Sequence, residues 1–149
     1  MCLFTPNKRN FKYKRYHRAH LLPKITKFIN FPYMKNGTIG LKILKFGFLL
    51  PKHLKTLYST LNKALKKKAI ILFFAFPNSS LTCKPTGARM GKGKGKSLSS
   101  WIFKVTAGFI LCEIHTYFLH IAINVLKIAQ KKLPLLSKIV INFKKSSIK

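Results

Sequence analysis

Apolar and polar positions follow different rhythms along this chain, and each rhythm predicts a different element. Residues 51–68, PKHLKTLYSTLNKALKKK, place Leu54, Leu57, Tyr58, Leu61 and Leu65 at three- and four-residue spacing. That spacing predicts a helix with one apolar face. Pro51 suits its first turn, where the N–H that proline lacks would have no helical partner. Lys52, Lys55, Lys63, Lys66 and Lys67 fall off the stripe. The other face is therefore basic, with cations gathered toward the C-terminal end that the helix dipole favours. Residues 69–76, AIILFFAF, are continuously apolar up to Pro77. The run is far shorter than the roughly 20 residues a bilayer-spanning helix needs, and it predicts a buried strand. Residues 36–49, NGTIGLKILKFGFL, read as a strand or hairpin region, with Gly37 and Gly40 at turns or bulges. Residues 78–87 read as a loop or short strand.

The second half continues in the same way. SLSSWIFKV, residues 97–105, reads as a strand, and WIFKVTAGFILCEI, residues 101–114, as two strands around a turn at Ala107–Gly108. Residues 115–133 return to the helical period. Leu119, Ile123, Leu126 and Leu133 form a stripe widened by Ile121, Val125 and Ile128, and Pro134 ends it. SKIVINF, residues 137–143, reads as a last strand before the basic tail 144–149.

Composition changes the picture in one respect. The 149 residues suit one domain with extended tails. Hydrophobic residues make up 48%, enough for a core, yet 30 Lys and Arg face 1 acidic residue, for a net charge of +29. Such a chain repels itself. It is expected to fold fully only beside a polyanion, either nucleic acid or an anionic membrane. The lack of acids also removes chemistry. Glu113 is the one carboxylate side chain, so paired-carboxylate hydrolysis cannot be built. A Ser-His-acid triad would have to use Glu113, and a multi-carboxylate magnesium site cannot be assembled. No enzyme activity and no cofactor are expected. Cys2, Cys83 and Cys112 are scattered, which supports neither a zinc site nor a disulfide framework. His17, His20, His53, His115 and His120 lack metal-type spacing, so no metal ligand is expected.

Residues 1–35 are basic, aromatic and punctuated by proline. Lys8, Arg9, Lys12, Lys14, Arg15, His17 and Arg18 interleave with Phe11, Tyr13 and Tyr16. Cations neutralise phosphates, and aromatic faces stack on bases. On composition alone a mitochondrial presequence fits equally well. Lys, Phe, Ile and Asn, the residues of AT-rich codons, are abundant, while Arg occurs only at 9, 15, 18 and 89. An arginine kept against that bias suggests a planar phosphate clamp. The run 105–126 is long enough for a membrane span, but Glu113, His115, His120 and Asn124 within it argue against one.

The densest chemistry lies in ARMGKGKGKS, residues 88–97. A phosphate-binding P-loop needs GxxxxGK followed by Ser or Thr, then a helix. Gly95-Lys96-Ser97 matches the ending. The position that should hold the first glycine is Met90, however, and a strand follows. No Asp exists for the accompanying magnesium role. What remains is an extended basic loop. Its glycines let the backbone approach a groove closely, and Arg89, Lys92, Lys94 and Lys96 can reach phosphates.

GARMGKGKGKS, then WIFKV, a turn and FILCEI, resembles the bacterial-type large-subunit ribosomal protein L-sixteen family. That family has an R-M-G-x-G-K-G loop, a Trp-initiated strand, a Pro-Gly turn and a strand ending in Glu. Arg89, Met90, Gly91, Gly93, Lys94, Gly95, Trp101, Gly108 and Glu113 match it. KYKRYHR (12–18), GLKI (40–43), the 51–68 helix, Phe76–Pro77, Lys84–Pro85 and Lys132-Leu133-Pro134 sit at corresponding places. The chain departs from the pattern at Ala19, at AIILFFA and at Ala107.

The resemblance implies a compact α+β fold with an antiparallel sheet and two helices. It implies a basic rRNA-binding arm over 1–35, a domain over 36–143 with a loop at 87–100, and a tail at 144–149. The expected function is structural. The chain would bind rRNA near the aminoacyl-tRNA site and the peptidyl-transferase region, supporting translation and late subunit assembly. Its rRNA-binding residues would be Lys8, Arg9, Lys12, Lys14, Arg15, His17, Arg18, Arg89, Met90, Gly91, Lys92, Gly93, Lys94, Gly95 and Lys96. Expected partners are large-subunit rRNA, transient tRNA in the aminoacyl site and neighbouring ribosomal proteins, with no small-molecule substrate and no membrane span. Family-like residues starting near Lys8 leave no room for a presequence, so synthesis in an organelle is expected. A mitochondrion comes first, ahead of a plastid or a bacterial cytoplasm. A basic amphipathic membrane-surface protein is the alternative.

Overall fold

The computed structural model describes residue 34 and residues 37–66, 68–91, 93–95 and 97–142. Along the chain these form β1 (Ile39–Ile43), β2 (Gly47–Leu49), α1 (Pro51–Leu65), β3 (Ile70–Phe73) and β4 (Ser79–Cys83). β5 (Ser97–Val105), β6 (Ile110–His115), α2 (Leu119–Lys131) and β7 (Ser137–Ile141) follow. The strands make two antiparallel sheets, in the orders β3-β6-β1-β7 and β2-β5-β4. The α+β class is as expected, with two sheets in place of one.

α1 forms where the pattern predicts it. Leu54, Leu57, Leu61 and Leu65 are its buried face, each contributing about 1.5–3 kcal/mol of transfer free energy. The start is held by His53, whose Nδ1 accepts the Leu50 N–H at 3.3 Å, half of a capping box. Burial, and then the neighbouring Lys52 charge, lower the His53 pKa, which favours the neutral ring that this role needs. The helix stops at Lys66, left-handed at φ 40° with its N–H on the Asn62 carbonyl at 3.0 Å. α1 packs on α2 and reaches β5, while α2 lies over β1 and β7. One core joins Leu41, Leu61, Val105, Leu111 and Leu126. Because its apolar face is spent in that core, α1 cannot lie on a membrane surface.

Four local features are decided by tertiary structure. The strands and turn of 101–114 form as expected, but the strands do not pair with each other. β5 joins β2 and β4, whereas β6 joins β1 and β3. The turn between them bonds to the end of β1 instead: Gly108 N–H donates to the Ile43 carbonyl at 2.6 Å, and Ile43 N–H to Phe109 at 2.8 Å. The chain is thus handed from one sheet to the other. Likewise, of the two readings of 36–49, strand and hairpin, the first holds, since β1 and β2 lie in different sheets. The run 69–76 is an edge strand, not a buried one, with Ile70 63% exposed. Finally, α2 starts at Leu119, because residues up to His115 belong to β6. Its buried face is Ala122, Val125, Leu126 and Ala129, while Ile121 and Ile128 stay outside. Small alanines allow close packing, which leaves the larger isoleucines on the other side.

Residues 105–126 are therefore divided among β5, a turn, β6 and α2. Among the described residues no helix is long and apolar enough to cross a membrane.

Candidate nucleic-acid interface

The glycine-lysine loop caps a ribbon. β4 and β5 pair from Ser79↔Ile102 to Cys83↔Ser97, with a shift of register between Leu81 and Thr82. The loop leads directly into a strand, so the helix of a P-loop is missing. Next to the ribbon, Gly95 is buried and a Cβ there would collide with the Cys83 carbonyl. The two arms can close this tightly only over a glycine. Farther out, Gly91 (φ 92°) and Gly93 (φ 81°) take conformations that side chains disfavour.

Lys84 organises the tip. Its Nζ donates to the Arg89 carbonyl at 3.3 Å and also to the Gly91 carbonyl. A β-turn precedes this clip, with Ala88 N–H on the Pro85 carbonyl at 3.2 Å. The clip ties down the backbone on both sides of Met90, which is 99% exposed. Arg89 and Lys94 are also exposed. A cleft of about 380 Å³ runs between the ribbon end and the tip, lined by Thr82, Cys83, Ala88 and the loop glycines. The loop therefore presents a guanidinium, an ammonium and an apolar tip around a narrow backbone. It offers cations for phosphate and no acid for proton transfer.

The one carboxylate lies elsewhere. Glu113 sits on β6 between Gly40 of β1 and Leu72 of β3, 1% exposed. Its Oε2 accepts the Gly37 N–H at 2.9 Å. A Cβ on Gly37 would come within 2.7 Å of the Glu113 Cβ, so that glycine makes room for the acid. Beside it, burial pushes the Cys112 thiol up to about 12, with the Glu113 charge adding to the shift and a backbone hydrogen bond to Leu41 opposing it. This cysteine is inert packing. Among the described residues no group of His, Cys or acid could hold a metal ion.

Of the residues expected to touch RNA, Arg89, Met90, Gly91, Gly93, Lys94 and Gly95 share this loop. Lys92 and Lys96 lie outside the described residues, as do Lys8, Arg9, Lys12, Lys14, Arg15, His17 and Arg18. Sequence reasoning noted Lys84–Pro85 only as matching a family spacing and missed the clip. Its one signal was a lysine placed just past the end of a strand and before the glycines.

Comparison with known proteins agrees with the loop signature. The family model for Ribosomal protein L16p/L10e matches residues 7–140. "Large ribosomal subunit protein uL16c" of Euglena longa is 33% identical over 129 residues, covering 87% of this chain and 92% of its own length. Proteins of this family are structural components of the ribosome, not enzymes, as the scarcity of acids leads one to expect. The chain belongs to the ribosomal protein L16p/L10e family and is a structural constituent of the large ribosomal subunit.

Proposed function

We propose that the chain binds large-subunit rRNA near the aminoacyl-tRNA site and the peptidyl-transferase region, where it supports translation and late subunit assembly. The observation that carries this reading is the clipped loop, which aims Arg89 and Met90 into solvent on a backbone narrowed by glycines. Arg89, Met90, Lys92, Lys94 and Lys96 with Gly91, Gly93 and Gly95 form the loop contact. Lys8, Arg9, Lys12, Lys14, Arg15, His17 and Arg18 form a second contact through the arm. tRNA in the aminoacyl site is a transient partner, and catalysis belongs to the RNA.

Phosphate neutralisation sets the test. Each neutralised phosphate steepens the salt dependence of binding by roughly 0.7–0.9 log units per decade of salt. Purified ribosomes washed in rising salt retain the chain well beyond a singly contacting protein. Release at low salt, followed by pelleting with membranes, would overturn the reading. In the same system Arg89→Ala impairs translation while the domain stays folded, and unchanged translation would remove the special role of Arg89.

The placement is an organellar ribosome. The uL16c name of the relative is of the chloroplast type, while the abundance of Lys, Phe, Ile and Asn, the residues of AT-rich codons, favours a mitochondrion. Fractionation of organelles followed by detection of the chain decides between them.

A further inference from the structure

One row of the β3-β6-β1-β7 sheet runs through Ile71, Ile114, Ile39 and Ile141. It lies near the starts of β3 and β1 and the ends of β6 and β7, so four chain segments meet just beyond it. Thr38 ties three of them together. Its N–H donates to the Ile114 carbonyl at 3.0 Å, and its carbonyl accepts the Asn142 N–H at 2.9 Å. The fourth segment joins through Thr116, whose hydroxyl donates to the Lys68 carbonyl at 3.5 Å. These segments bring cations and aromatic rings to one place. The basic stretch 1–35 leads into β1, and Lys144 and Lys145 follow β7 in the sequence. Lys66 and Lys68, between α1 and β3, are exposed and line one small cavity with Thr116 and Phe118. Tyr117, just after β6, is 87% exposed. The His115 ring meets it edge-on with centroids 6.2 Å apart, which leaves the Tyr117 face open to solvent.

We propose that this end of the sheet is a further rRNA interface, separate from the glycine-lysine loop on the other sheet, in which Lys66 and Lys68 meet backbone phosphates and Tyr117 stacks on an unpaired base. Three features select RNA over a protein segment. First, the surface is continuous with the root of the arm. Thr38 fixes that root on the same row of the sheet, so RNA followed by the arm meets Lys66, Lys68 and Tyr117 where the arm joins the domain. Second, the charge is of one sign. Glu113, the only acid of the chain, is buried, and the lysines of this end repel one another with no acid between them. A polyanion carrying one charge per nucleotide offsets that repulsion. Third, the residue types fit. The centre of a protein–protein contact is depleted in lysine, whereas cations beside an open aromatic face are the usual means of holding single-stranded RNA.

This interface rests on the rRNA-binding reading of the chain, and the test reads the two separately. A photo-crosslinking amino acid is placed at Tyr117 in one variant and at Lys94 in another, and both are examined in assembled large subunits. The Lys94 probe reports on the loop. The Tyr117 probe is expected to crosslink an unpaired rRNA nucleotide. A second measurement follows binding of the full chain to large subunits depleted of it, across a range of salt. In Lys66→Gln/Lys68→Gln the salt dependence should become shallower by about 1.4–1.8 log units per decade, the share of two phosphates. Lys66→Arg/Lys68→Arg should restore it. Crosslinking of Tyr117 to a protein or to nothing overturns the interface, even where Lys94 reaches rRNA. A salt dependence unchanged by the glutamine variant overturns it as well. Failure of Lys94 to reach rRNA, with Tyr117 reaching it, supports this interface and counts against the loop reading alone.

Discussion

The helix-covered sheet and the β4–β5 ribbon keep their shapes by different means. In the first, Leu54, Leu57, Leu61, Leu111 and Leu126 are fully buried and make one core with β1 and β6. In the second, almost every described residue of the loop is exposed, so burial contributes little. Its geometry rests on Gly95 against Cys83 and on the Lys84 clip. A packed core resists change through many weak contacts. The loop at the end of the ribbon depends on a few specific ones. A loop held in this way can present cations on a thin backbone, which a packed surface cannot do.

Changes in each region should accordingly separate stability from RNA contact. The largest effect on folding is expected from Leu61→Ala, at about 2–5 kcal/mol, because the cavity it leaves is fully enclosed. Urea unfolding measures it, and the salt at which folded protein leaves the subunit should not move. A midpoint shift below about 0.5 kcal/mol would show that the core is looser than its burial indicates.

Next comes Glu113→Ala, which leaves the buried Gly37 N–H without this acceptor, at about 1–3 kcal/mol. Glu113→Gln keeps an oxygen in place and should cost less. Equal losses in the two variants would mean that the charge of Glu113, and not its oxygen, is what the fold uses. On the ribbon, Gly95→Ala forces the strand ends apart. It should raise amide exchange in β4 and β5 while α1 and α2 keep their protection. Uniform loss of protection would contradict the division into two regions.

Lys84→Met is the sharper probe of the loop. Global stability should stay within about 0.5 kcal/mol, while the salt concentration that releases the chain from the subunit falls. If only stability changed, the clip would be a folding device and not a means of presenting Arg89. The smallest effect concerns His53. Its folded pKa is lowered, so the neutral ring contributes stability that is fully present above the unfolded value near 6.5 and is lost as pH falls through the folded value. His53→Gln keeps an acceptor at the cap and should flatten that acid-side decline.

Legibility from the sequence followed the range of the interactions. α1 was readable because its stripe, its first-turn proline and its basic tail all lie within one local window. Pro134 marked the end of α2 for the same reason. The two strands and the turn of 101–114 were legible, but their partners were not, because the turn bonds to Ile43, far away in sequence. On α2 the stripe of Ile123, Val125, Leu126 and Leu133 does face the core, but its widening to Ile121 and Ile128 was misjudged, because Ala122 and Ala129 carry little hydrophobic weight and yet fill that side. At the candidate site the glycines, Arg89 and Met90 were visible as a motif. The role of Lys84 was not, because a lysine before a loop reads as one more cation until its Nζ is seen on two carbonyls.

Charge, the exclusion of acid-dependent chemistry and the loop signature were properties of the sequence itself, since each needs only residue identity and local spacing. Sheet membership, the exposed edge at Ile70, the burial of the single acid and the clip on the loop were decided only by tertiary structure. Each depends on which distant backbone groups find one another once the core has closed, and local periodicity carries no record of that choice.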